Sequence, residues 1–350
     1  MSSSTSSSRI TLPGRTLRIA LMFVAALVLI EIGTREAIVP VSRDLDRLRS
    51  FPDRARSLAK APAPRIAFIG DSVTDRVEPE LLKAEWEAAT GHSLAVDTFV
   101  TYNSNLATWY WMSEQYFWKR DLKPDLIVVT YYDELGLADS QVRDVGNLAR
   151  FFTDSDDRPS LFEHDLKTLR QRADYMLSLI SLAYAMRDRI RDRTIHLIPQ
   201  YGPFANTINE FNFQYEQEHV APIGFDPAPT YDALRRFIAR ARQENVKVCF
   251  IAFQPRPDAS GSPAYPIHAE VLDTIADAGM LHLDLRHLDE LSTEMYEDSV
   301  HLNERGMPIY AKRLARELVQ ALRPVQSTAP KPSYKTYSRD VGPVRRPNSP

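Results

Sequence analysis

Two short stretches of this chain hold side chains whose types and spacing can do acyl chemistry. The first is Phe68-Ile69-Gly70-Asp71-Ser72-Val73-Thr74-Asp75. A serine set just after a buried strand and at the start of a helix presents its hydroxyl at the edge of a sheet. Backbone N–H groups there can hold a developing oxyanion. Taken alone, Gly-Asp-Ser is equally the wording of a tight turn. The second stretch is Asp298-Ser299-Val300-His301-Leu302-Asn303-Glu304-Arg305-Gly306. An aspartate three residues before a histidine can orient the imidazole and stabilise its charged form. A lone histidine is more often a surface or packing residue. Here the pair sits in a loop that leads into the last helical stretch of the chain.

For these groups to meet, the segments between them must build a sheet with its loops at one end. Arg65–Ile69 is a short apolar run ending in Gly70, suited to a buried parallel strand. Similar runs recur at Leu94–Val100, Asp125–Thr130, Val246–Phe253 and Leu281–Leu285. Helical patterns separate them at Pro79–Ala89, Thr108–Lys119, Tyr231–Gln243 and His268–Ala278, and a last one runs from Pro308 to Leu322. The alternation predicts an α/β fold, a doubly wound parallel sheet with flanking helices. Residues 146–228 break the rhythm. They carry a long helical stretch, Leu166–Arg193, and an aromatic-rich loop, Tyr201–Tyr215, and read as an insertion over one end of the sheet.

Taken together, Gly70-Asp71-Ser72 after a strand and Asp298-x-x-His301-Leu302-Asn303-x-x-Gly306 near the end resemble the first and last blocks of the SGNH (GDSL-like) hydrolases. The resemblance covers roughly residues 64–140 and 231–322, and it implies the three-layer, flavodoxin-like sandwich of that family. It also implies Ser72 as nucleophile, His301 as general base and Asp298 as third member of the triad. The family's middle blocks are altered. After the second strand the chain reads Thr101-Tyr102-Asn103-Ser104-Asn105, without the glycine that usually gives an oxyanion N–H. After the third it reads Tyr131-Tyr132-Asp133, with Tyr132 where an asparagine is usual. Asn103, Asn105 and Tyr132 are therefore the candidate substitutes for the missing donors, with simple packing the alternative for Tyr132. Losing one donor costs roughly 10²–10³ in rate where nothing compensates.

The N-terminus adds a location. Ile19–Ile30 is an unbroken apolar run with Arg9, Arg15 and Arg18 before it and Glu31, Arg35 and Glu36 after it. It reaches the ~17 residues that span a bilayer at the short end when Leu17, Ile32 and Gly33 are counted and Arg18 and Glu31 snorkel. No small-x-small cleavage site follows, so a retained signal anchor is expected, with the basic side in the cytoplasm and the rest outside. The predicted order is a disordered segment over 1–16, an anchor over 17–33, and a stalk and linker over 34–63 ending in Ala61-Pro62-Ala63-Pro64. A catalytic domain over 64–322 and a Pro/Ser-rich tail over 323–350 complete it.

The 350 residues carry a formal net charge of −3, which gives no reason to expect nucleic acid as a partner. The single cysteine, Cys249, lies in an apolar strand and reads as a packing residue. The histidines lack ligand spacing, so neither a metal nor a cofactor is expected. The aromatic segment Trp109–Trp118 suits the packed side of a helix better than a sugar-stacking platform. The resemblance and the topology together imply a serine esterase or acyltransferase acting on O-acyl, in particular O-acetyl, groups of an envelope or exported polysaccharide. They also imply a multi-spanning membrane-bound O-acyltransferase as partner. A small-ester hydrolase or lipase, and a non-catalytic assembly protein, are the rival readings.

Overall fold

The computed structural model describes residues 14–38, 42–102, 104–132, 136–138, 142–196, 230–257 and 265–322. Five strands form one sheet: β1 Arg65–Gly70, β2 Ala95–Val100, β3 Leu126–Tyr131, β4 Lys247–Phe253 and β5 Leu281–Leu285. Their order is β2-β1-β3-β4-β5, and every neighbouring pair is parallel. This is the expected doubly wound sheet. The chain winds to β2 on one side of β1 and to β3 on the other, so the sheet reverses direction beside β1. In open α/β sheets that crevice, at the carboxyl ends of the strands, is where ligands bind.

The three inner strands are almost wholly buried, whereas the edge strands β2 and β5 are partly exposed. That difference explains why the inner strands read as continuous apolar runs. Their side chains alternate between two cores. Ala67, Ile69, Ile127, Val129 and Phe250 point to one face, packing with Phe51, Phe99, Trp109, Phe117 and Phe237. Ile66, Phe68, Val128, Cys249 and Ile251 point to the other, packing with Val73, Leu82, Leu302, Tyr310 and Leu314. Burial pushes the Cys249 thiol up to about 12, so it remains a packing group rather than a nucleophile.

Helix α1 spans Gly14–Gly33, and α2 spans Arg43–Lys60. The first is long and apolar enough to cross a membrane, and its apolar side chains are exposed. The second corrects the stalk reading. Leu45, Leu48, Phe51, Ala55 and Leu58 recur every three or four residues, and all are buried in the first core. Phe51 meets Phe99 and Tyr116 edge to face, and Arg54 pairs with Asp97 of β2. The charges that made the segment look free-standing occupy its outer side. The helix is a layer of the folded domain.

Among the described residues the remaining α-helices of four or more residues are α3 Pro79–Thr90, α4 Leu106–Ser113, α5 Arg158–His164, α6 Leu169–Ile180, α7 Leu182–Ala185, α8 Arg187–His196, α9 Asp232–Gln243, α10 Ala269–Asp277 and α11 Gly306–Leu322. The aromatic segment is α4 followed by a π turn over Glu114–Trp118. Trp109, Trp111, Tyr116, Phe117 and Trp118 are buried, which is the packing reading. The helical stretch expected over Leu166–Arg193 is helical and divided into three helices. Ser181 takes an extended conformation, and its hydroxyl accepts the Tyr184 N–H to start α7. Helix α6 begins with a full capping box between Thr168 and Gln171. The expected loop Tyr201–Tyr215 lies outside the described residues.

Candidate active site

Ser72 follows β1 after one intervening residue, Asp71, in the two-residue turn before the short helical turn Thr74–Arg76. Asp71 Oδ1 accepts the Val73 N–H at 3.1 Å and shapes that turn. Gly70 is fixed by space. A Cβ there would lie 1.9 Å from Thr74 Oγ1 and 3.0 Å from the Thr130 carbonyl oxygen. The glycine before Asp71-Ser72 therefore lets the turn fold back onto the ends of β1 and β3. Among the described residues Ser72 makes no hydrogen bond, so its N–H and its hydroxyl are both uncommitted.

The His301 loop is organised by its own sequence. His301 Nδ1 lies 2.7 Å from Asp298 Oδ2. The N–H groups of Val300 and His301 donate to Asp298 Oδ1 at 2.9 and 2.8 Å. Burial works to raise the Asp298 carboxyl, but these donors together hold it below its ordinary value. The carboxylate thus stays ionised, and the geometry suits a proton on Nδ1, leaving Nε2 as the basic nitrogen. The rest of the block is structural. Leu302 is fully buried in the second core. Asn303 Oδ1 accepts the N–H groups of Arg305 and Gly306 at the start of α11, and its Nδ2 donates to the Glu294 carbonyl at 2.7 Å. A Cβ on Gly306 would lie 2.6 Å from the Met295 carbonyl oxygen.

Two features join the loops. Arg76, four residues after Ser72, forms an ion pair with Glu297, the residue before Asp298. Val73 and Leu302, the neighbours of Ser72 and His301, belong to the same buried cluster, with Val300 and Tyr132 packed against it. Ser72 and His301 are not hydrogen-bonded to each other here. In free enzymes such contacts are often long and tighten when substrate binds.

The candidate oxyanion residues divide. Asn105 is fully buried at the start of α4, and its Oδ1 accepts from Thr108 Oγ1 at 3.4 Å. Tyr132 is partly buried against the cluster beneath the two loops. Asn103 lies outside the described residues. Among the described residues no group of three histidine, cysteine or carboxylate side chains is placed to hold a metal ion.

The structure adds residues that sequence reading passed over. Tyr102 donates its hydroxyl to Asp75 Oδ2 at 2.6 Å. The Arg47 guanidinium lies 4.0 Å above the Tyr102 ring and 3.7 Å from Asp75. Burial and the bond to Asp75 raise the Tyr102 phenol above its usual value. Arg47 belongs to α2, and nothing in its local sequence connects it with a serine loop. Tyr102 also borders a cavity of about 730 Å³, whose lining includes Arg143, Arg170, Asp174, Arg187 and Asp188.

The chain matches no protein-family model and no curated protein sequence. It is similar in outline to several solved structures. An acetylxylan esterase from Geobacillus stearothermophilus shares 13% identity at a TM-score of 0.37, over 74% of this chain and 95% of that one. The lipase/acylhydrolase from Enterococcus faecalis shares 14% at 0.36, over 75% and 98%. A GDSL-like lipase from Bacteroides thetaiotaomicron shares 10% at 0.35, over 79% and 98%. At such identity and overlap these are likenesses and no more.

Proposed function

We propose that this chain is a serine-dependent esterase or acyltransferase of the SGNH type, with Ser72, His301 and Asp298 as its triad. The observation that carries the reading is the His301 Nδ1–Asp298 contact of 2.7 Å in a loop tied by Arg76–Glu297 to the serine turn. Ser72 Oγ attacks the ester carbonyl carbon while its proton passes to His301 Nε2. The tetrahedral oxyanion is met by the Ser72 N–H. Its collapse breaks the bond to the alcohol oxygen, which takes the proton from His301. Water or a second hydroxyl then attacks the acyl-serine by the same route, giving hydrolysis or transfer.

The cavity bordered by Tyr102, whose lining includes none of Ser72, Asp298 and His301, bears on substrate class. Pockets for acyl chains and other apolar ligands are lined mainly by apolar side chains. Arginines and aspartates make up much of this lining. That favours a hydrated, hydroxyl-rich substrate such as an O-acetylated polysaccharide over a lipid. With α1 as an anchor, the domain would work on the outer side of a membrane, where a membrane-bound O-acyltransferase could serve as acyl donor.

The test is labelling of the full chain with a fluorophosphonate probe. Labelling is expected on Ser72 and should vanish in Ser72→Ala. Well-folded protein that fails to label would sink the enzymatic reading and favour a non-catalytic assembly role.

A further inference from the structure

Helix α6 has two unlike sides. Tyr175 and Ser178 are buried in the protein. Leu169, Met176, Leu177 and Ile180 are exposed, at 84%, 40%, 46% and 75%. With exposed Ala173 they fall at i, i+4, i+7, i+8 and i+11. That spacing makes one continuous apolar stripe along the helix. Scattered exposed leucines need no explanation, whereas a contiguous apolar helix face marks a contact.

The chain indicates what covers it. Directly after Ile180, the Ser181 hydroxyl donates to Glu31 Oε2 at 2.9 Å. The N–H groups of Leu182 and Ala183 donate to the same carboxylate at 3.0 Å each. Glu31 belongs to α1 and follows Ile30, the last residue of the unbroken apolar run. The end of α6 is therefore fastened to α1 at the level where that helix would leave the hydrocarbon.

We infer that α6 is an interfacial helix, with the stripe Leu169–Ala173–Met176–Leu177–Ile180 seated in the lipid surface around the anchor. This rests on α1 being a membrane span. On another side of α6, Arg170, Gln171 and Asp174 line the charged cavity. The helix then separates lipid from cavity, and the cavity lies within about 10 Å, one helix diameter, of the membrane. Substrate would be met at the membrane surface rather than in free solution.

The full chain reconstituted in phosphatidylcholine–phosphatidylglycerol vesicles tests this. A thiol-reactive fluorophore is placed at Ile180→Cys, at Phe23→Cys in α1, and at Lys83→Cys on the outer side of α3. Buried Cys249 is shielded from labelling. A nitroxide carried on lipid chains should quench the label at position 180 several-fold more than that at 83, and aqueous iodide should quench it several-fold less. Position 180 behaving like position 83 would overturn the inference while quenching at 23 left the anchor standing. Shielding of 180 from both quenchers would mean a protein occupant, a second copy or a partner helix, and would overturn it too. No lipid quenching at 23 would remove the anchor reading, and the docking with it.

Discussion

The two loops that bring Ser72 and His301 to the sheet are held in different ways. The His301 loop is held mainly by its own residues, with the Arg256 N–H on the Ser299 carbonyl and the Arg76–Glu297 ion pair as its ties to distant chain. Asp298 gathers two N–H groups and the imidazole from within three residues, and Asn303 caps the helix that follows. The Ser72 loop depends on distant parts of the chain. Gly70 makes room for Thr74 beneath Thr130, Tyr102 from the end of β2 holds Asp75, and Arg47 from α2 covers Tyr102. In the proposed triad the base must keep one tautomer and one orientation, which a short local network can secure. A nucleophile must sit at a point defined by the whole sheet edge, so its support comes from the neighbouring strands and helices.

The comparison can be broken most directly at the proposed base. Asp298→Asn removes the charge that fixes the imidazole, and turnover of an aryl acetate is expected to fall about 10⁴-fold with the fold intact by circular dichroism. At the proposed nucleophile, Gly70→Ala drives a methyl group into Thr74. Activity should fall by about 10² or more, and overpacking should cost about 1–3 kcal/mol in a urea melt. Adding Thr74→Ala should recover part of both losses, because it removes the closest contact.

His282 tests whether the strand that precedes the His301 loop is held from afar. Its Nε2 lies 2.8 Å from the Tyr131 hydroxyl, across β4, and burial lowers its pKa to about 4. The unfolded chain takes up this proton at the ordinary value of about 6.5, so it binds more protons than the folded chain between the two values. Stability should therefore decline as pH drops from about 6.5 toward 4, by up to roughly 3 kcal/mol, and the decline should flatten below that. His282→Gln should lessen the slope in urea melts across this window. The smallest effect is expected for Tyr102→Phe. The hydroxyl bond to Asp75 is partly exposed, and losing about 1 kcal/mol of positioning gives roughly a fivefold drop in kcat. A null result there would show the serine turn to be as self-reliant as the base loop.

Residue types and spacing alone determined much of this protein. Continuous apolar runs announced β1, β3 and β4, because inner strands are covered on both faces. The Asp298–Gly306 block was legible for the same reason that it is stable: its interactions are local, and spacing encodes them. Tertiary structure decided what depends on distant partners. Segment 43–60 reads as a charged stalk until its apolar side meets β2 and the aromatic core. The break at Ser181 makes sense once Glu31 is seen to hold it. Asn105 was a candidate donor by position, and only the fold shows it fully buried at the start of α4. Arg47, Asp75 and Tyr102 come together only when the chain folds, because a contact between residues far apart in sequence leaves no periodicity to read.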